Sequence, residues 1–434
     1  MIYKQIRKSL GEEKGQSLVE VLVALGVGAI LIGSATVGVS FMLQSSTAGE
    51  NLQIVNALVK ETSDKARVFG NARWSNINSL STSTDYFLIS SSTTFAAVQG
   101  KEGVIASDVT DGLVGKWGFD EETGEIAYDY STYSNIGTLY NDPTRATSTC
   151  RIGNCLAFNG IDTYVNMGDP SDGSLDFGTG DFSLSGWFYI STFPDSWKSI
   201  LNKGGSGAVG YGMELSYSNA VTCSLQASGG SNQHVSGSIP SLGSWHHGVC
   251  VFDRDDEVRV FLDGALVATS TYASGNTGSV STNSYTFRVG QFGGGGWSFD
   301  GSIDEIRVYN QALSSDEVSR IYGSRIYERY FVVENACRTN DASSEISGVE
   351  PCSGGSLMDP STKKVTSYVN WSTGSGTGET TLIDYLTRWE NDVFWQTDWS
   401  GGSGSEGPVS DPDDTYASST NIDLNSGSVR IHNL

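Results

Sequence analysis

Lys14-Gly15-Gln16-Ser17-Leu18-Val19-Glu20-Val21-Leu22 leads into an apolar run, and the reading of this stretch decides the architecture. From Val21 to Leu43 no residue is charged. At about 1.5 Å per helical residue such a run can cross a bilayer core of roughly 30 Å. Lys4, Arg7, Lys8 and Lys14 precede it, an arrangement that keeps the amino terminus cytoplasmic. The expected topology is a single crossing, with everything after about Leu43 outside. Glu20 is the anomaly. A carboxylate at the mouth of a membrane segment costs several kcal/mol unless it is paired, so its presence implies a partner.

Past the apolar run, Leu52, Val55, Leu58 and Val59 recur at helical spacing, and the helix is expected to continue to about Arg67. Its length would be roughly 50 residues, or about 75 Å. Gly26, Gly28, Gly33 and Gly38 weaken its middle, through either close helix packing or local melting. Beyond it, Asp85-Tyr86-Phe87-Leu88-Ile89 and Thr94-Phe95-Ala96-Ala97-Val98 read as two strands joined by a Ser/Thr turn. The same aromatic-rich pattern resumes only at Tyr327-Glu328-Arg329-Tyr330-Phe331-Val332-Val333 and continues at Lys363 to Trp371 and Tyr385 to Trp399. These pieces read as split halves of one small head, interrupted by an insert. Gly401 to Tyr416, rich in Gly, Ser, Pro and Asp, reads as a loop.

Composition narrows the function. The formal charge is −23. The first fifteen residues carry four cations against two anions, so their loss leaves about −25. Such a surface repels nucleic acid, and no direct nucleic-acid binding is expected. The six cysteines form no Cys-x-x-Cys pair, and His234, His246, His247 and His432 lack zinc-ligand spacing. An even count suits an oxidising compartment. Fifteen pairings are open to six cysteines; proximity along the chain suggests Cys150–Cys155, Cys223–Cys250 and Cys337–Cys352.

The leading edge resembles that of type IV prepilins, with glycine at the cut and glutamate five residues into the mature chain. On that resemblance the leader ends at Gly15, and Gln16 becomes the N-methylated first residue. Glu20 then pairs with the terminal amine of a neighbouring subunit. Gln16 departs from the commoner phenylalanine, and that departure bears on methylation rather than cleavage. The resemblance implies a prepilin peptidase and other pilin subunits as partners. It also implies residence in the inner membrane before assembly and on an extracellular pilus afterwards. The competing readings are an ordinary signal peptide cut near Gly33-Ser34-Ala35 and a plain anchor.

The insert is a series of short alternating runs between glycine or asparagine turns. Among them are Gly115-Lys116-Trp117-Gly118-Phe119-Asp120, Phe182-Ser183-Leu184-Ser185-Gly186-Trp187-Phe188, Trp245 to Phe252, Val258 to Gly264 and Phe299 to Tyr309. In this order they resemble the laminin-G-like, concanavalin-type jelly roll, over about Asp111 to Tyr322. Ala312 to Val318 looks like its closing helix, with Ser314 or Ser315 as cap. The expected fold class is α+β: a long amino-terminal hydrophobic helix and a small β-rich pilin head interrupted by an all-β concanavalin-like sandwich. The expected divisions are leader 1–15, helix 16–67, head 68–103, sandwich 104–326 and second head piece 327–434.

Members of this second family include lectins and β-glucanases. The latter use two glutamates on one strand, and no Glu-x-Asp-x-x-Glu run occurs here. Asp255-Asp256-Glu257 reads as a turn, and no catalytic residue is assigned. Many relatives hold a structural calcium ion; the matching positions are Asp129, Asn135 and Asp304, with Asp120 in reserve. For sugar stacking the loop aromatics Trp197, Tyr211 and Trp297 are the candidates. Trp117, Trp187 and Trp245 fall in strand motifs, and His246 and His247 read as structural. The leading expectation is a filament subunit displaying a glycan- or surface-binding domain. The alternatives are a minor pseudopilin of a secretion or DNA-uptake machine and an anchored carbohydrate-active enzyme.

Overall fold

The computed structural model describes Met42, residues 49–388 apart from short gaps, and strand segments between 394 and 431. Gly15, Gln16, Glu20 and most of the apolar run lie outside the described residues. Among the described residues no helix is long and apolar enough to cross a membrane. Two compact units divide between Ala57 and Leu58, and the second, Leu58–Leu434, holds both the head and the sandwich. Helix extends through residue 72, five beyond the expected end at Arg67, and a short helix, Trp74–Asn78, comes next.

The head is a seven-stranded antiparallel sheet. Its longest strands, Ile326–Arg338 and Leu357–Thr373, pair from Tyr327 opposite Trp371 onward. Asp85–Ser91 joins the sequence-distant half by pairing with Ile326–Arg338. Ala66, Phe69, Trp74, Ile77, Leu88, Phe331, Val333, Val365 and Leu386 make its core. Glu102–Ile105 pairs with Ile326 to Arg329, so this strand straddles the expected boundary at 103/104. Within the expected carboxyl-terminal loop, Gly407–Val409 is a strand paired with Phe394–Gln396.

Two antiparallel eight-stranded sheets form the sandwich. The first runs Ala265–Thr271, Glu257–Leu262, Trp245–Phe252, Phe182–Tyr189, Asp300–Tyr309, Cys155–Asn159, Thr144–Ala146, with Leu113–Trp117 also on Asp300–Tyr309. The second runs Gln233–Ser238, Ala220–Gln226, Gly210–Ser216, Lys198–Lys203, Phe287–Val289, Tyr164–Gly168, Gly137–Tyr140, Ile126–Ala127. Between them lies one large core that includes Trp117, Phe182, Leu184, Met213, Val221, Phe252 and Ile306.

The two sheets differ in their outer faces, and the difference is written in the strands. Val249-Cys250-Val251-Phe252 is apolar at every position because both faces are covered. Cys250 and Phe252 point into the sandwich core. Val249 and Val251 meet Ile105, Val109, Leu313, Val318 and Ile321 on the other side. Those last three sit on or before the helix Ser315–Gly323, which Ser314 and Glu317 start with a reciprocal capping box. In Gln233–Ser238, by contrast, buried and exposed residues alternate strictly. The first, covered sheet thus differs from the second, open sheet, which meets solvent along this edge strand although its central strand Gly210–Ser216 is buried throughout.

Polar contacts tie the sandwich to the head. Gly103 N, on the head strand Glu102–Ile105, donates to Asp120 Oδ2 at 2.8 Å. Asp108, in the segment leading from that strand into the sandwich, receives Lys116 Nζ at 2.7 Å and Arg307 Nε at 3.2 Å. Burial alone would raise Asp108, but the two cations outweigh it and hold the carboxyl at about 2. The disulfides join Cys150–Cys155, Cys223–Cys250 and Cys337–Cys352, the pairs that proximity suggests. Cys223–Cys250 crosses between the open and the covered sheet.

Candidate carbohydrate-binding cleft

On the open sheet a cleft of about 230 Å³ lies between two loops. Alternation builds its floor. Tyr211, Met213 and Leu215 point into the core, as do Val221, Cys223 and Leu225, which leaves Gly212, Glu214, Ser224 and Gln226 on the outer side. Asn202, Ser224, Gln226 and His234 line the floor, and Trp197, Phe292 and Trp297 the walls. Trp197 and Trp297 stack with centroids 5.6 Å apart at 25°; His234 lies 5.1 Å from Trp197, and Phe292 4.3 Å from Trp297. Although His234 belongs to the exposed set of its strand, partial desolvation lowers its imidazole below the ordinary value.

The run Phe292-Gly293-Gly294-Gly295-Gly296-Trp297 shapes one wall. Gly295 and Gly296 have φ near +83° and +79°, which only glycine adopts without strain, and Gly295 N closes the turn on Phe292 O at 2.8 Å. Gly293 approaches the neighbouring loop so closely that a Cβ would meet Gly204 O at 2.4 Å. Trp297 itself has φ +49°, a left-handed conformation that costs a bulky residue about 1–2 kcal/mol. Its carbonyl accepts from Ser199 N at 2.7 Å, and Asn202 Oδ1 accepts from Gly293 N at 3.3 Å. The wall is therefore anchored to the strand Lys198–Lys203 at both ends.

Beneath the floor lies Glu214, 1% exposed. Its Oε1 accepts from Ser224 Oγ at 2.8 Å and Asn202 Nδ2 at 3.1 Å, and Oε2 has no partner. Burial pushes this carboxyl up to about 7, with the two neutral donors pulling only partly back.

All three aromatic candidates line the cleft, but only Trp197 and Trp297 stack on each other, while the Tyr211 ring turns inward. Tyr211 is 1% exposed, packs against Phe182 at 4.9 Å, and donates its hydroxyl to Leu175 O at 2.7 Å. The flanking glycines suggest a loop, yet they serve strand packing: a Cβ at Gly210 would meet Lys203 O at 2.4 Å, and one at Gly212 would meet Glu214 Oε1 at 2.2 Å. Nothing in the motifs singles out Glu214, Asn202, Ser224 or His234 for this site. The period-two alternation around Val221, Cys223 and Leu225 is the signal that would have placed Ser224 on the face.

The calcium set does not converge. Asp129 receives Lys116 N, Ser131 N, Ser131 Oγ and Asn135 N, which occupy both its oxygens. Asn135 is engaged with Val114 O and Ser174. Asp304 instead accepts from Arg151 N and Ile152 N, in a buried group with Asp120 and Glu305. Burial raises Asp120 and Asp304, and the neighbouring carboxylates add to it. Calcium needs six to eight oxygens, and among the described residues no three metal-binding side chains are placed to hold one ion. The residues as placed do not fit the ion.

A larger cleft of about 810 Å³ opens between the Cys150 to Gly153 loop and the head strands around Asn370 and Trp371. Its tryptophan is closed off on one side, because a Cβ at Gly378 would meet the Trp371 ring at 2.3 Å. It has no counterpart of the paired tryptophans.

A prokaryotic N-terminal methylation motif matches residues 12–36, and the concanavalin A-like lectin/glucanases superfamily matches residues 159–319. No curated protein matches the chain. Among solved structures, a Trypanosoma rangeli sialidase in complex with the inhibitor DANA is 21% identical, with TM-score 0.36, over 50% of this chain and 33% of its own. This chain thus spans about a third of the sialidase. Domain 4 of an extracellular arabinanase from Geobacillus stearothermophilus, in complex with arabinotriose, is 19% identical, with TM-score 0.32, over 49% of this chain and 100% of its own. The binding domain of Paraclostridial Mosquitocidal Protein 1 is 10% identical, with TM-score 0.41, over 69% and 81%.

Proposed function

We propose that this chain, which carries a prepilin-type methylation motif ahead of a concanavalin A-like sandwich, is a subunit of a type IV pilus-like filament that presents a carbohydrate-binding cleft. A prepilin peptidase removes the leader between Gly15 and Gln16, and Glu20 then pairs with the terminal amine of a neighbouring subunit. A buried anion and cation are tolerable only together, so the pairing favours insertion into the filament over remaining alone in the membrane. The sandwich turns its covered sheet to the head and its open sheet to the exterior.

One observation carries the binding reading: the tryptophans of two separate loops meet over a floor of amides and hydroxyls. An apolar ring face stacks on the C–H face of a pyranose, while Asn202, Ser224, Gln226 and His234 offer partners to its hydroxyls. Support for binding over hydrolysis comes from the lining, which among the described residues carries no carboxylate, Glu214 being enclosed beneath it.

The test is a glycan array probed with the protein and with Trp297→Ala. Sugar binding by the parent, weakened about tenfold or more by the substitution, is expected. Binding indifferent to both Trp197→Ala and Trp297→Ala would place the ligand elsewhere and sink the reading.

A further inference from the structure

The cleft occupies one end of a longer surface. Strand register lines up Ser224, Gly212, Asn202, Arg288, Asn166 and Thr138 in one row across the open sheet. Their neighbours Phe287, Val289, Val165 and Leu139 are in the core, so the row lies on the outer face, with Asn202 and Gly212 buried beneath the cleft and Arg288, Asn166 and Thr138 partly exposed. At the far end Tyr164 and Tyr140 stack with centroids 4.9 Å apart and planes within 3°, and Tyr140 is 41% exposed. Three strand spacings, about 14 Å, separate Asn202's strand from Tyr140's, more than one sugar ring occupies.

Arg288 lies between the two aromatic ends. Its guanidinium sits 4.6 Å from the Tyr164 ring centroid, its Nε donates to Thr286 Oγ1 at 3.2 Å, and its Nη1 to Gln291 Oε1 at 3.0 Å. Neutral partners thus fix its plane, and among the described residues no carboxylate pairs with it. Lys116, Lys203, Arg259 and Arg307 each sit on an acid, whereas Arg288, like Arg254 on Gly278 O and the Tyr272 ring, is held by neutral groups. A held, uncompensated guanidinium is a fork for a carboxylate or sulfate.

We propose that the open face is an extended groove for a linear anionic polysaccharide. Its rings lie on Trp197 and Trp297 at one end and on Tyr140 at the other, with an acidic substituent on Arg288. The proposal rests on the glycan reading of the cleft and adds the charge and length of the ligand.

The experiment titrates the full chain, in detergent, with a hexameric oligogalacturonate and with the same oligomer fully methyl-esterified, which removes the charge and adds one methyl group per ring. The acid should bind about tenfold more tightly, and the preference should shrink as salt rises. Arg288→Gln should lower the acid to the affinity of the ester at unchanged melting temperature, and Arg288→Lys should restore part of the difference. Equal binding of acid and ester by the parent overturns the anionic groove alone if both remain sensitive to Trp297→Ala. If neither oligomer binds, the groove fails, and the glycan array judges the cleft separately. A preference for the acid that survives Arg288→Gln also overturns the proposal.

Discussion

Replacing Glu214 by Gln should remove a pH dependence from the stability of the folded chain. The carboxyl is enclosed on the solvent side of the open sheet, met only by the neutral donors Ser224 and Asn202. Burial moves it from the ordinary 4.5 to about 7. A carboxyl whose folded value exceeds its unfolded one holds its proton more tightly in the native state. Its contribution is therefore fully present below about pH 4.5 and is lost as pH rises through about 7. The displacement corresponds to roughly 3 kcal/mol. Glutamine keeps an acceptor for Ser224 and Asn202 and cannot ionise. Denaturant unfolding of both proteins between about pH 4 and pH 8 isolates the group, since every other titration cancels in the difference. Across that range the variant should gain roughly 3 kcal/mol relative to the parent. A difference constant to within about 0.5 kcal/mol would refute the enclosed, neutral-partnered carboxyl.

The leader and the disulfides lend themselves to simpler tests. Mass spectrometry of the surface protein should give a chain beginning at Gln16, and one beginning at Thr36 would indicate ordinary signal peptidase instead. Glu20→Ala should be processed normally yet assemble poorly, and unchanged filament number would count against the pairing with the terminal amine. Replacing Cys223 and Cys250 together by alanine opens a link of sequence separation 27 and should cost roughly 3–4 kcal/mol. An unshifted denaturation midpoint would contradict that.

Much of this fold is legible in the sequence because its strands are short and their patterns regular. Asp85 to Ile89 and Thr94 to Val98 announce themselves by aromatic and β-branched content, and both are strands. Ser314 announces its helix through the glutamate three residues on. Tyr211 misleads because glycines mark both loops and tightly packed strands, and only the alternation with Met213 and Leu215 tells them apart. Arg288 and Glu214 are invisible for a different reason. Their meaning depends on which strands become neighbours, and Lys198–Lys203 pairs with Phe287–Val289 across more than eighty intervening residues. The calcium expectation rests on spacing from a resemblance, whereas the fold commits Asp129 to its own loop.

Everything proposed for the cleft depends on this chain reaching a surface filament with its sandwich displayed. Immunogold imaging of isolated filaments, with antibody raised against residues of the open sheet, puts that to the test. Gold should decorate the filaments, along the shaft or at the tip. Label confined to the inner membrane, with filaments bare, would contradict it.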